Sequence, residues 1–207
     1  MKKNSNLFIL MVMIYTTCLL VSNINAFKVV EIFGLTLTAA TLVFPVTYIL
    51  GDVFSEVYGF QKTKKIILYG FICNALMVVI FFIAIIMPYP ETFKYQNEFA
   101  LVLKSTPRIL LASLTAYLIG GLSNSYVLNY IKDKTKIKPL WIRLFVSTII
   151  GELLDSIFFV TIGFIGKYSI EQIVTMIFSQ AGLKILLEFI MIPVVYQVID
   201  YVKKKEK

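Results

Sequence analysis

Two pairs of carboxylates stand at helical spacing inside apolar stretches of the sequence. Asp52 and Glu56 are four residues apart, and Glu152 and Asp155 are three apart. Residues at either spacing share one face of a helix. In hydrocarbon, carboxylates are costly and normally face a protein interior or a water-filled cavity, where they mark a path for a substrate or an ion. Both pairs are therefore candidates for a polar site within a membrane.

The depth of the two pairs separates them. Counted from Gly34 at about 1.5 Å per residue, Asp52 is about 27 Å along a helix, which favours the membrane edge as an alternative for this pair. There Asp52 would be within reach of Lys62, Lys64 or Lys65. Glu152 and Asp155 follow Arg143 by about 14 and 18 Å, near mid-membrane. A cavity-lining role is favoured for them, and pairing with a cation on another helix is the alternative.

The last apolar stretch supplies such a cation. Gln180, Lys184 and Glu188 recur every fourth residue and form one polar stripe, in which Lys184 and Glu188 could also pair with each other. The acids outnumber the two cations Lys184 and Arg143. Such a site should attract a cation, bind a ligand rich in hydrogen-bond donors, or hold protonated carboxyl groups. Amides on two other stretches, at Asn74 and Asn124, more often link helices to each other.

The composition requires a bilayer as solvent. Of 207 residues, 58% are hydrophobic and only 15% are charged, whereas about a quarter of the residues of a soluble domain are charged. The net charge is +8. The basic residues lie in short loops between apolar runs, so membrane topology explains this charge better than nucleic-acid binding does. Histidine is absent, which removes the commonest metal ligand. We predict no metal, no cofactor and no catalytic residue, and the two cysteines are interpreted as packing thiols.

Hydropathy predicts an all-α polytopic membrane protein that forms one domain over residues 1–207. The six predicted spans are about 7–25, 35–57, 66–87, 108–130, 144–165 and 173–199. Pro45 lies within the second span, where it removes one backbone hydrogen bond and can kink the helix. The first span has a rival interpretation as a cleavable signal peptide, against which its polar centre, Tyr15-Thr-Thr17, and a poor cleavage site argue. Fourteen of the 20 basic residues fall on one side of these spans, which predicts that both termini are cytoplasmic.

A short internal echo suggests two three-helix halves. Thr47-x-x-x-Gly51-Asp52-x-x-x-Glu56 resembles Ser147-x-x-x-Gly151-Glu152-x-x-Asp155, although the last spacing differs by one residue. The second and fifth spans occupy corresponding places and run in opposite directions, as in an inverted repeat with its site at the repeat interface. Chance is the competing explanation, because the echo rests on so few positions.

The sequence also resembles a known family. The stretch Phe44–Gly59, which ends in Asp-x-x-x-Glu-x-Tyr-Gly, resembles the signature of the queuosine precursor transporter family, also called the vitamin uptake transporter family. The resemblance continues in Asn23–Lys28, in Arg108–Ser113, in Arg143–Phe158 and in Lys184–Glu188. One departure is Gly121, where the family pattern suggests glutamine or a similar polar residue.

The resemblance implies a six-helix importer of 7-deazaguanine compounds in the cell membrane: cyano- or aminomethyl-deazaguanine, or queuine and its nucleoside. It places one carboxylate, from Glu152 or Asp155, against the ring N–H and exocyclic amine, with aromatic residues such as Tyr48, Phe158 and Phe159 on the flat ring. Taken together, the candidate substrate-binding residues are Asn23, Lys28, Tyr48, Asp52, Glu56, Asn74, Arg143, Ser147, Glu152, Asp155, Phe158, Lys184 and Glu188.

Other functions remain as alternatives. A substrate-binding subunit of an ATP-driven importer is disfavoured because residues 7–21 contain no alanine or glycine, and the Ala-x-x-x-Ala pattern that such subunits often carry is missing. The sequence has no phosphate loop of its own. An intramembrane enzyme and a ligand-free scaffold are further alternatives. The pattern leaves open the precursor carried, the coupling ion and the oligomeric state, of which a homodimer is one form.

Overall fold

The structure, a computed structural model, describes residues 5–134 and 140–205. The elements of this part of the chain are α1 (Asn6–Asn25), β1 (Val29–Ile32), β2 (Leu35–Thr38), a 3-10 helix (Ala39–Val43), α2 (Phe44–Val53), a π-helix (Phe54–Tyr58), α3 (Phe60–Ile86), α4 (Gln96–Leu103), α5 (Thr106–Lys134), α6 (Leu140–Phe164) and α7 (Ile170–Lys205). The chain is thus overwhelmingly helical, which confirms the predicted class.

Within the described residues, five segments are long and apolar enough to cross a bilayer. They are Asn6–Asn25, Gln61–Ile86, Gln96–Asn124, Phe145–Phe164 and Ile170–Lys205. Each contains an apolar stretch whose length is close to the roughly 20 residues that a helix needs to cross a bilayer. The predicted second span is instead built from several shorter elements, so the count of six crossings stays a prediction.

A β-hairpin replaces the beginning of the predicted second span. Leu35–Thr38 pairs antiparallel with Val29–Ile32, so the prediction of a helix from residue 35 is wrong. Phe33 and Gly34 have φ angles of +53° and +76°, the two positive values that a two-residue hairpin turn requires. The strand Leu35-Thr-Leu-Thr38 also alternates apolar and polar residues, which is the periodicity of a strand.

Pro45 begins a helix instead of kinking one. It occupies the first turn of α2, where no intrahelical hydrogen bond is lost and the fixed φ of proline suits the helix. Pro45 therefore does not produce the mid-span kink that the sequence allowed. The π-helix that continues α2 carries Glu56. A proline that does lie inside a helix is Pro193 in α7.

Side-chain caps define two of the helix starts. Phe8 N donates to Ser5 Oγ at 3.0 Å before α1. At α7, Gln172 N donates to Ser169 Oγ at 3.3 Å, and Ser169 N donates to Gln172 Oε1 at 3.0 Å. This reciprocal pair is a capping box, which satisfies two backbone donors that the helix itself leaves unbonded.

The chain divides into two compact units. The first contains α1, the 3-10 helix, α2 with its π-helix, α3, α4 and the part of α7 from Leu187. Its core is apolar, with Val53, Phe54 and Val202 almost fully buried. The Phe54 ring lies edge-on to Tyr15 at a centroid distance of 5.6 Å, an arrangement that aromatic pairs favour.

The second unit contains the β-hairpin, α5 from Arg108, α6 and the part of α7 up to Leu186. Arg108 binds the end of α6, donating from Nε to Ile162 O at 2.6 Å and from Nη2 to Ile165 O at 2.5 Å. Carbonyls in the last turn of a helix lack intrahelical partners and lie at the negative end of its dipole. Arg108 therefore joins α5 to α6 at this end.

Candidate functional site

The charged site lies in the second unit and joins α6 to α7. Lys184 Nζ hydrogen-bonds Asp155 Oδ2 and lies 3.3 Å from Glu152 Oε2. The Lys184 side chain is 8% exposed, and the two carboxylate side chains are about one-fifth exposed. One lysine is thus shared between two acids from neighbouring turns of α6, as the alternative of a cation on another helix anticipated.

The shared lysine brings one ammonium group to two carboxyl groups. Buried charges are stable only when they are paired and hydrogen-bonded, and the ammonium group has three donors for four carboxylate oxygens. We refer to Glu152, Asp155 and Lys184 as the acid–lysine cluster. Carboxylates of this kind form strong, charge-assisted hydrogen bonds with cationic or donor-rich groups.

A close helix contact positions this cluster. A Cβ at Gly120 in α5 would lie 2.8 Å from Asp155 Cβ and 2.9 Å from Gly151 O, and a Cβ at Gly151 would lie 2.8 Å from Asn124 Cβ. Both distances are shorter than real Cβ contacts, so only glycine allows α5 and α6 to approach this closely. Small residues serve this purpose between membrane helices in general.

Three buried polar atoms add to the polar character of the second unit. Asn124 Oδ1, Ser156 Oγ and Gln180 Oε1 have no hydrogen-bond partner among the residues that the structure describes. Ser156 is 0% exposed and Gln180 is 1% exposed. Most buried polar atoms in proteins are hydrogen-bonded, and each exception calls for an explanation, such as a ligand or water.

Comparison with known proteins assigns the family. A family model described as "Putative vitamin uptake transporter" matches residues 38–198, which is more than half of the chain. The chain belongs to this family. The family resemblance noted from the sequence motifs is thereby confirmed, and the chain is a multi-pass membrane protein of a family of transporters for small molecules.

One relative is more specific. The chain is 26% identical over 181 residues to a Bacillus subtilis (strain 168) protein named "Probable queuosine precursor transporter", a match that covers 84% of this chain and 77% of the relative. No solved structure matches. Neither description names a subunit of an ATP-driven importer.

In this member of the vitamin uptake transporter family, the surroundings of Asp52 and Glu56 differ from those of the acid–lysine cluster. Glu56 Oε1 lies 2.8 Å from Lys203 Nζ, and each side chain is about half exposed. Lys203 belongs to the C-terminal basic run, whereas the edge interpretation anticipated the basic residues 62–65. Asp52 is exposed as well. The interfacial position and the ligand role of Asp52 and Glu56 both stay predictions.

Two predicted amides contact each other in the first unit. Asn23 Nδ2 donates to Asn74 Oδ1 at 2.6 Å, and Asn74 Nδ2 donates to Gly70 O at 2.9 Å. The pair links α1 to α3, and both residues are buried. The helix-linking alternative that applied to Asn74 is the arrangement seen.

The remaining predicted residues are distributed over both units. In the first unit, Lys28 is exposed, and Tyr48 and Glu188 are half-buried. In the second, Ser147 is buried and Phe158 is half-buried, one turn beyond Asp155 on α6. The prediction for the Arg143 side chain lies outside the described part of the chain.

The sequence motifs did not assign Gly120 and Ser156 to the site. The spacing contained a signal for Ser156, because it follows Glu152 by four residues and shares its helix face. The role of Gly120 becomes visible only when its neighbour on another helix is known. Its importance comes from the 2.9 Å approach of its Cβ position to Gly151 O.

Proposed function

We propose that this protein imports queuosine precursors, 7-deazaguanine bases such as cyano- or aminomethyl-deazaguanine, or queuine and queuosine. The observation that carries the proposal is the match over 84% of the chain to the Bacillus subtilis relative and its printed name. The acid–lysine cluster supports it chemically, because it offers carboxylates inside an apolar helical unit.

The chemistry of the ring suits a carboxylate. A guanine-like edge presents a ring N–H and an exocyclic amine side by side, and one carboxylate can accept both in a bidentate, charge-assisted arrangement. In this proposal Glu152 or Asp155 binds that edge. Phe158 stands three residues after Asp155 on the same helix face, where its ring can cover the flat base.

The proposed setting is the cell membrane, with both termini in the cytoplasm. The excess of basic residues on one side of the predicted spans supports this orientation. Import proceeds in this proposal without an ATP-driven module, and the protein acts by binding rather than by catalysis. A homodimer is compatible with it, but no step of the proposal requires one.

Uptake of labelled aminomethyl-deazaguanine or queuine tests the proposal. We expect a strain that lacks its own uptake to accumulate label and to form queuosine in tRNA when it makes this protein. Asp155→Asn replaces a carboxylate that the proposal assigns to the base, so it should reduce the initial rate of uptake. We expect a reduction of at least about tenfold, which corresponds to about 1.4 kcal/mol of lost binding free energy.

The control is Glu171→Gln, which removes an exposed carboxylate from the first turn of α7. It should transport as the unmodified protein does, at equal amounts in the membrane. Absence of uptake of every precursor by the unmodified protein would contradict the proposal. Uptake by the purified protein in liposomes without any ATPase would separate it from the ATP-driven alternative.

A further inference from the structure

Helices α1 and α3 of the first unit run in the same direction. Asn23 Nδ2 in α1 donates to Asn74 Oδ1 in α3 at 2.6 Å, and one turn earlier on both helices a Cβ at Gly70 would lie 2.7 Å from Leu19 Cδ1. Four residues forward along α1 are thus matched by four residues forward along α3, which is the pattern of parallel helices. Two parallel helices that cross a bilayer in succession require a return crossing between them.

Residues 39–58 run back along α1 in the opposite direction. Ala39 N donates at 2.9 Å to Lys28 O, just beyond the C-terminal end of α1. At the other end of the segment, the Tyr58 ring lies 4.6 Å from the ring of Phe8, in the first turn of α1. Helix α1 has 20 residues and is about 30 Å long, which is about the thickness of the hydrocarbon core. The segment therefore covers the same thickness as α1.

The first turn of α1 and the last turn of α7 lie at the same end of the first unit. Lys203, in the last turn of α7, binds Glu56 at 2.8 Å. Glu56 stands two residues before Tyr58, whose ring contacts that of Phe8. An odd number of crossings would place the two ends of the chain on opposite sides of the membrane. The five candidate spans of the described residues therefore need one more crossing, and residues 39–58 supply it.

We propose that residues 39–58 form a discontinuous membrane crossing whose water-facing side carries Asp52. The segment consists of a 3-10 helix, α2 and a π-helix in succession. Within a bilayer, interrupted backbone is tolerated where it is buried in protein or lines a water-filled cavity, and transporters build their polar paths from such broken helices. This assignment needs only a membrane protein of this family and no particular substrate, so it can fail while the proposed import stands.

The two sides of this crossing differ at Asp52 and Leu42. Asp52 stands six residues before Tyr58, so it enters the crossing by about 9 Å from the end that carries Lys203. Its side chain is exposed, whereas the next residue, Val53, is fully buried in the apolar core. A carboxylate is costly against lipid, so the exposed side at Asp52 faces water. Leu42 is 75% exposed and apolar, and its side of the 3-10 helix faces lipid.

Cysteine labelling from either side of the membrane tests the crossing. In the full chain with Cys18→Ser and Cys73→Ser, single cysteines replace exposed residues in the hairpin turn, at the start of α3 and after α3, namely Phe33, Gln61 and Glu91. We expect a membrane-impermeant maleimide to label Phe33→Cys and Glu91→Cys from one side and Gln61→Cys from the other.

Labelling of Phe33→Cys and Gln61→Cys from the same side would show that residues 39–58 do not cross, and the proposal would fall. If the double serine variant does not reach the membrane, the same cysteines are placed in the otherwise unmodified chain. The labelling of the unmodified protein, whose own cysteines lie within α1 and α3, is then subtracted.

Asp52→Cys and Leu42→Cys are a matched pair in the same crossing and test which side faces water. A small charged methanethiosulfonate reagent reacts with the thiolate form in water. We expect Asp52→Cys to react at least about tenfold faster than Leu42→Cys, because a thiolate forms poorly in apolar surroundings. Equal rates at the two positions, or a faster reaction at Leu42→Cys, would contradict the assignment of Asp52 to the water-facing side.

Discussion

The ion pair of Glu56 with Lys203 and the acid–lysine cluster differ in burial far more than in chemistry. In the first unit the two side chains are 58% and 44% exposed at a separation of 2.8 Å, whereas Lys184 in the second unit is 8% exposed. Exposed pairs contribute little because water and salt screen them. A buried lysine that loses its carboxylates, in contrast, is strongly destabilising.

The glycine that precedes each acid pair shows the same contrast. A Cβ at Gly51 would meet no atom within 4 Å, whereas a Cβ at Gly151 would lie 2.8 Å from Asn124 Cβ. Both glycines occupy the same place in the short internal echo of the sequence. The comparison teaches that a local pattern acquires a role only where another helix approaches it, as α5 does at Gly120.

The largest effect on stability is expected from Lys184→Met. Its loss leaves Glu152 and Asp155 without a cation in a poorly solvated site, which should cost about 3–5 kcal/mol. Thermal unfolding of the detergent-solubilised protein measures the change. Lys203→Met is the control and should leave the midpoint almost unchanged. Similar midpoints for the two variants would break the distinction between a buried and an exposed site.

A smaller difference is expected between the two glycines. Gly151→Ala forces α5 and α6 apart and should destabilise by about 1–3 kcal/mol, the usual cost of overpacking. Gly51→Ala meets open space and should be neutral or stabilising by up to about 1 kcal/mol, because alanine favours a helix. The same unfolding measurement applies, and a loss of stability in Gly51→Ala equal to that in Gly151→Ala would show that the contact is not the cause.

The smallest effect concerns a buried pair without charge, that of Asn23 with Asn74. A double-mutant cycle with Asn23→Ala and Asn74→Ala should give a coupling of about 0.6 kcal/mol, the average for hydrogen bonds between membrane helices. The uptake assay sharpens the result. If either single variant abolished uptake while stability stayed the same, the pair would be a substrate contact rather than a helix link.

Much of the helical architecture could be predicted from hydropathy, because a run such as residues 66–87 admits few alternatives in a bilayer. The exception was residues 29–45. There the apolar average concealed an alternating strand, a two-residue turn at Phe33 and Gly34, and a helix that begins near Pro45. An average over a window does not register the period-2 pattern or the preference of proline for a first turn.

For the candidate site, the spacing of Glu152 and Asp155 was readable because three residues return a helix to the same face. The polar stripe of the last apolar stretch also indicated that a cation on another helix, Lys184, was available. Asn23 and Asn74 were predicted as ligand contacts, and their contact with each other across α1 and α3 could not be deduced from positions 51 residues apart.

By itself, the sequence determined the solvent of this protein, its family and the residues that carry charge into the apolar helices. Only the tertiary structure decided which acid pair is the less exposed, which lysine pairs with it and which glycines let the helices touch. The physical reason is that hydropathy and helical periodicity are properties of one segment, whereas burial and ion pairing depend on what another segment places within a few ångströms.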